Sequence, residues 1–292
     1  MSDFKKIHLN DPSYPSQLKE IHNAPKHFFL WGNADILTKP SIAIVGTRRA
    51  SEYGKEAAYK FAADLAQTGL VIVSGMARGI DEQAHKGALF VKGKTIGVIG
   101  SGMDEKSFYP SENYKLAKQI VENGGAVLSE HEEGVPAMPH HFPLRNRIVS
   151  GLSLGVLVIE AKEKSGALLT AEHALNQNRD VFAIPGPIYN LNSQGPNKLI
   201  QQGAKLVSKT EDILEEFPQF KTRFEHKNKD LYELSHEEKI ITEILKQENL
   251  GAQDLAEKLN QPIANLLAIL SALEIKGVIV NNKGLYRLSI KN

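Results

Sequence analysis

The chain has 292 residues, 41% of them hydrophobic, enough for one α/β domain of roughly 200 residues and a smaller second one. Its formal net charge is only +1, so any nucleic-acid footprint has to be a local patch and not a global field. The absence of cysteine excludes disulfides, thiolate zinc sites and cysteine nucleophiles.

No apolar run reaches the length of a membrane span, and Met1–Asn10 lacks the profile of a signal peptide, so a cytoplasmic location is expected. Residues 1–40 read as a lead-in. Its Tyr14-Pro15, Leu18, Ile21, Ala24-Pro25 and Trp31-Gly32 are expected to pack on a sheet edge. From residue 41 to 217, short apolar runs alternate with helical patterns. Strands are predicted at Ser41–Gly46, Leu70–Ser74, Thr95–Gly100, Ala126–Ser129, Leu154–Glu160 and Val181–Ile184. Helices are predicted at Glu52–Gln67, Asp81–Phe90, Ser111–Asn123 and Ala167–Gln177, with short ones at Asn197–Gln202 and Thr210–Phe217. This alternation defines an α/β fold: a doubly wound, mostly parallel sheet covered on both faces. Residues 218–234, rich in Lys, Glu, His and Asn, read as a linker. In residues 235–292, Ser235 and Glu238 form a capping box that opens a helix to about Gln247. Gly251–Leu259 is a second helix, and Pro262 opens a third that ends at Lys276-Gly277. A hairpin over Val278–Asn281, Lys283-Gly284 and Leu285–Leu288 completes a small winged-helix domain.

Ligands of doubly wound sheets bind outside the carboxyl ends of the strands. This sequence places there Gly46-Thr47-Arg48-Arg49, Ser74-Gly75-Met76-Ala77-Arg78-Gly79 and Gly100-Ser101-Gly102. Also at strand ends are Ser129-Glu130, the Glu160, Lys162, Lys164, Ser165, Gly166 loop and Pro185-Gly186-Pro187. Between the fourth and fifth strands lies Phe142-Pro143-Leu144-Arg145-Asn146-Arg147. Glycines let a backbone approach a ligand, helix N-termini attract anions, and arginine forks suit phosphate. Several such loops on one sheet edge would take several phosphates, so a polyanion is the natural ligand.

Each feature also has a plainer reading. Glycine after a strand serves the turn alone about as often as it serves a ligand. Arg48 and Arg49 could cap a helix or pair with surface acids. Arg145 and Arg147 could form a solvated face with Asn146 as a cap, and Lys162 with Lys164 is, by itself, a solvated charge run. Phe142 suits either a stacking platform for a base or a core anchor for its loop. Their concentration at strand ends favours the site.

Other chemistries find little support. Gly46 opens no Gly-x-Gly-x-x-Gly, no Walker loop is present, and the third glycine is missing after Gly100-Ser101-Gly102. His140-His141 are adjacent, a poor arrangement for one metal, and no hydrolytic triad stands out. Asp81 and His85, four apart, suit a helix start better than catalysis. Neither a cofactor nor a metal is expected, nor an enzymatic activity.

These motifs resemble the DNA-processing protein A family (DprA, also called Smf). The resemblance rests on Ile44–Arg49 with Tyr53-Gly54, Ser74–Asp81 with Ala84-His85, and Phe142–Gly151. It continues through Ser165–Ala171, Val181–Gly186, Gly195–Ile200 and Gly203-Ala204. It runs from about Tyr14 to Phe217, and the tail looks like the family's winged helix. It implies an extended Rossmann fold that binds single-stranded DNA, acts as a homodimer, and loads the RecA recombinase during natural transformation. Carried over, Gly46–Arg48, Gly75–Gly79, Arg145–Arg147 and Ser165-Gly166 would hold the backbone, and Phe142 would contact a base. The chain departs from the family in three places. It begins almost at the lead-in, where many members carry a sterile-alpha-motif domain. Pro139-His140-His141 stand where some members have a lysine, which implies weaker or pH-dependent binding there. Pro196 replaces a residue with a backbone donor.

The predicted third helix of the tail, Ile263–Ile275, is almost without basic residues, which favours a protein contact or weak DNA contact over duplex reading. Two rival functions remain. One is a nucleotide enzyme such as a phosphoribohydrolase, an analogy of fold alone. Ser165–Glu172 lacks the Pro-Gly-Gly loop and paired glutamates of cytokinin-activating hydrolases. The other is an adaptor whose winged helix docks a partner.

Overall fold

A computed structural model of the chain describes residues 4–221, 235–275, 278–282 and 284–288. The chain divides into two compact units, Met1–Glu225 and His226–Asn292.

The first unit is built on nine strands. They are β1 (Phe4–His8), β2 (His27–Gly32), β3 (Ser41–Val45), β4 (Val71–Ser74), β5 (Thr95–Ile99), β6 (Ala126–Ser129), β7 (Gly155–Val158), β8 (Asp180–Ala183) and β9 (Lys205–Leu206), in the spatial order β1-β2-β6-β5-β4-β3-β7-β8-β9. From β6 to β9 every pairing is parallel. The helices are α1 (Ser16–Lys19), α2 (Glu52–Gln67), α3 (Ile80–Phe90), α4 (Tyr114–Glu122), α5 (His141–Gly151), α6 (Gly166–Asn176), α7 (Gln194–Gln201) and α8 (Thr210–Leu214).

Strand β3 shows why the sheet is covered on both sides. Ala43 and Val45 join one apolar cluster with Leu18, Ile148, Val149 and Ala171, whereas Ile42 and Ile44 join another with Ala58, Leu65 and Ile80. The period of two sends alternate side chains to opposite layers, and a strand covered on both faces is apolar throughout. The chain leaves β3 for β4 on one side and returns at β7 on the other, so the order in which strands are added reverses at β3/β7. A crevice opens at that point.

Three expectations change. The lead-in does more than pack on the edge: β1 pairs with β2, and β2 pairs antiparallel with β6, so the lead-in lengthens the sheet. The Phe142–Arg147 stretch is not a loop but most of α5. Pro143 is tolerated there because a first-turn N–H has no intrahelical partner to lose. Residues 218–221 are helical and Phe220 is buried in the core, so packing continues past Phe217. The rest of the expected linker, 222–234, lies outside the described residues.

In the second unit, α9 (His236–Gln247) starts on the expected capping box. The Glu238 N–H donates to Ser235 Oγ at 3.2 Å, and the Ser235 N–H donates to Glu238 Oε2 at 2.8 Å. Strand β10 (Leu250–Gly251), α10 (Ala252–Leu259), α11 (Ile263–Ile275), β11 (Ile279–Asn282) and β12 (Leu285–Leu288) follow, with the sheet order β10-β12-β11. Ile241, Leu245, Leu255, Leu266, Leu270 and Tyr286 form the core. The expected helix end at Lys276-Gly277 and Lys283 of the turn lie outside the described residues.

Candidate nucleic-acid interface

A cavity of about 430 Å³ opens at the β3/β7 reversal. Gly46, Thr47, Arg48 and Arg49 line it from β3, and Gly75 and Ala77 from β4. Phe142, Arg145 and Asn146 of α5, Lys162, and Ser165 and Gly166 at the start of α6 complete the wall. A smaller hollow of about 180 Å³ adjoins it, shared with Arg78, Gly100 and Tyr109. Of the expected strand-end loops, those after β3, β4, β5 and β7 meet here, whereas Ser129-Glu130 and Pro185-Gly186-Pro187 line neither cavity.

Most of the glycines serve the protein itself. A Cβ on Gly46 would lie 2.5 Å from Ile80, one on Gly75 would lie 2.0 Å from the Arg145 guanidinium, and Gly79, at φ +80°, faces the Thr47 carbonyl. Three backbone donors of the loop after β3 are occupied too. The Thr47 N–H bonds to the Glu160 carbonyl at 2.7 Å, the Arg49 N–H to Thr47 Oγ1 at 3.2 Å, and the Gly46 N–H to the Asp81 carboxylate. Of the stretches expected to hold a nucleic-acid backbone, Gly46–Arg48 therefore has the N–H groups of Gly46 and Thr47 engaged within the protein. The loop after β3 is a rigid mount for two arginines. Ser74 is likewise structural: fully buried, it donates to the Ile44 carbonyl at 2.6 Å. Gly166 differs, since a Cβ there would meet nothing closer than 3.9 Å. It opens the eleven-residue α6, where the Gly166 and Ala167 N–H groups precede the first helical acceptor and the Leu168 N–H donates to the Ser165 carbonyl at 3.1 Å.

The cations sort by depth. Arg48 and Arg49 are exposed, and the Arg48 guanidinium lies 4.9 Å from the Phe142 ring centroid. Phe142 is half-buried against Tyr109, with centroids 5.7 Å apart, so it is neither a bare platform nor a core residue. Arg145 is 7% exposed and forms the floor. It donates to the Val98 carbonyl and lies beside Asp81; burial pulls its pKa down to about 10, with the Asp81 charge resisting. Burial pushes the Asp81 carboxyl up, against the Arg145 charge and the backbone N–H groups of Ala77 and Gly46. Arg145 Nε and Ser165 Oγ are buried without a hydrogen-bond partner among the described residues. Unpaired buried donors are rare, and both belong to residues that line the cavity.

Other expected residues lie elsewhere or are engaged. Arg147 points away, forking onto Glu130 at 2.6 and 2.7 Å and donating to the Asn23 carbonyl at 2.9 Å; it ties the lead-in to α5. Arg78 is exposed but paired with Glu112. Asn146 donates to the Gly166 carbonyl at 2.9 Å and positions the start of α6. Lys164 is exposed and is not part of the wall, whereas Lys162 is. Tyr109 was missed in the sequence. Its signal was an aromatic in the loop after β5, on the edge where ligands gather. Glu160 at the end of β7 is a clamp: it accepts from the Ser51 N–H at 2.9 Å and from Ser51 Oγ at 2.5 Å, fixing the start of α2. His131 stacks on His141 with centroids 3.9 Å apart, and His140 meets His141 edge-on at 4.5 Å. No cluster of three or more potential ligands able to hold a metal exists among the described residues. No helix among them is long and apolar enough to cross a membrane.

Fold and cavity together define a doubly wound α/β protein whose sheet edge gathers cations around an aromatic ring. Residues 5–218 match the family model of DNA recombination-mediator protein A, and the chain belongs to that family. DNA processing protein DprA of Streptococcus pneumoniae is 47% identical over 214 residues, 73% of this chain and 74% of that one. The crystal structure of DNA processing protein A from S. pneumoniae superposes with a TM-score of 0.69 at 46% identity, covering 74% of this chain and 75% of that one. The Helicobacter pylori protein, whose structure describes a single-stranded DNA binding mode, gives a TM-score of 0.66 at 30% identity, over 74% and 96%.

Proposed function

We propose that this chain binds single-stranded DNA along the carboxyl edge of its sheet, without cutting it, protects incoming strands and loads RecA onto them during natural transformation. One observation carries the reading: exposed Arg48, Arg49 and Lys162 meet Phe142 and the unpaired Nε of buried Arg145 around one mouth. Charge tracks a backbone and an aromatic ring takes a base. Membership of the family and the DNA-binding relative from H. pylori support it. The RecA step, action as a homodimer and a cytoplasmic location follow from family resemblance.

A nucleotide hydrolase is disfavoured because Asp81, the one carboxylate in the wall among the described residues, is buried and accepts from two backbone N–H groups beside the Arg145 charge. A general acid or base needs a free proton site within reach of substrate.

Titrating fluorescent oligo-dT and the matching duplex at two salt concentrations tests the proposal. Strong, salt-sensitive preference for the single strand is expected, and a RecA-filament assay on the bound strand then tests loading. Equal or negligible binding to both DNAs would refute it. Release of free base from a nucleoside monophosphate would favour the hydrolase.

A further inference from the structure

We infer that the turn after β8 presents a second base platform, with Tyr189 as the stacking ring, for the strand held at the Arg48 mouth. The inference rests on the single-stranded DNA reading and extends it to a part of the surface outside the cavity wall.

Tyr189 is 93% exposed, the most exposed large hydrophobic side chain among the described residues, and Ile188 beside it is 72% exposed. Apolar groups held in water call for an occupant more than scattered single ones do. The turn that carries them is well anchored. The Asn190 N–H donates to the Pro187 carbonyl at 2.9 Å, closing a four-residue turn with Ile188 and Tyr189 at its tip. Asn197 clamps Gly186 from both sides, accepting from its N–H at 3.1 Å and donating to its carbonyl at 2.9 Å. Pro185 and Pro187 fix the backbone further. A ring presented on an ordered turn loses little freedom on binding, and Tyr offers a large contact area for few rotatable bonds.

The turn is also bolted to the cation-bearing loops. Asn192 Nδ2 donates to the Arg49 carbonyl at 3.1 Å, and the Asn192 carbonyl accepts from Ala161, the residue before Lys162, at 2.7 Å. Along the edge the order is β5, β4, β3, β7, β8. Tyr109 with Phe142 stands at the β5 end, Arg48, Arg49 and Lys162 in the middle, and Tyr189 follows β8. Four inter-strand steps of about 4.8 Å separate the ends, roughly 19 Å. A stacked strand covers that span with about six nucleotides at about 3.4 Å each. The pattern of aromatic, cation and aromatic matches the bases and phosphates of one strand. The cations between the rings call for an anionic occupant, and the repeat of ring and charge suits a strand in which bases and phosphates alternate.

Binding of oligo-dT of about four and about twelve nucleotides, lengths within known site sizes, tests this on the full chain. Tyr189→Ala should weaken the longer oligonucleotide about five-fold or more and leave the shorter unchanged, while Tyr189→Trp retains affinity. A twelve-mer carrying 5-iodouracil should photocrosslink to Tyr189. Unchanged affinity at both lengths with no crosslink at Tyr189 overturns the inference. So does a Tyr189→Ala chain that changes mass in solution at unaltered affinity, which would mark a self-association face. Arg48→Ala separates the two levels. If wild type binds the strand and Arg48→Ala weakens it while Tyr189→Ala does not, only the second platform fails. If wild type binds no single strand, both readings fall.

Discussion

Arg48 with Arg49 and Arg145 with Arg147 look alike in the sequence: two arginine pairs in strand-end segments that face one crevice. The first pair stands on a short loop whose Gly46, Thr47 and Arg49 N–H groups bond within the protein, and both side chains reach solvent at the mouth. The second pair stands on α5, where two residues of separation turn side chains about 200° apart. Arg145 becomes the floor, and Arg147 becomes a tie to Glu130 and Asn23 on the far side. Placement near a site and participation in it are thus separate matters. On a helix, the period decides which residue of a basic cluster meets the ligand.

The comparison breaks most visibly at Arg145. Replacing it by Ala leaves Asp81 buried without its counter-charge, and a stability loss of about 3–5 kcal/mol in urea denaturation is expected, together with loss of DNA binding. An unchanged urea midpoint would mean that Arg145 is not the floor described here.

His85 of α3 shares that buried region. Burial, then the Arg145 charge, pull its pKa from 6.5 to about 3. An imidazole with a folded pKa below its unfolded value takes up a proton on unfolding. Its contribution is therefore full above about pH 6.5 and falls away as pH drops toward 3, at most roughly 4–5 kcal/mol in all. His85→Gln should flatten the fall of the urea midpoint in that window; an identical pH profile would place the acid sensitivity elsewhere.

Arg147→Ala should lose about 1–3 kcal/mol of stability through its charged hydrogen bonds, with single-strand affinity unchanged. Arg48→Ala should do the converse. Affinity for all sequences drops about ten-fold, as for one charge-assisted contact, while stability stays within about 0.5 kcal/mol.

Much of this was legible in advance. Strands β3 to β8 fall within two residues of the sequence reading because each is an apolar run between turn residues, and the rule of strand carboxyl ends named the loops that meet. The elements missed have physical reasons. Strands β1 and β2 are partnered across a long intervening segment, so no short-range turn signal joins them. Helix α5 was hidden by Pro143 and its run of polar residues, although its buried face has a helical spacing: Arg145, Ile148, Val149 and Leu152. Read with that period, Arg145 shares the apolar face and its burial could have been foreseen. The glycines show the opposite limit. Gly46, Gly75 and Gly166 are indistinguishable as letters, and only packing reveals that two make room for neighbouring side chains while the third has space for a side chain.

The most direct test is the salt dependence of oligo-dT binding for wild type, Arg48→Ala and Arg147→Ala. On a log–log plot, Arg48→Ala should give a slope shallower than wild type by about 0.7, one phosphate fewer, while Arg147→Ala runs parallel to wild type. An Arg147→Ala slope reduced by that amount, beside an unchanged Arg48→Ala, would contradict the account and move the DNA path off the mouth.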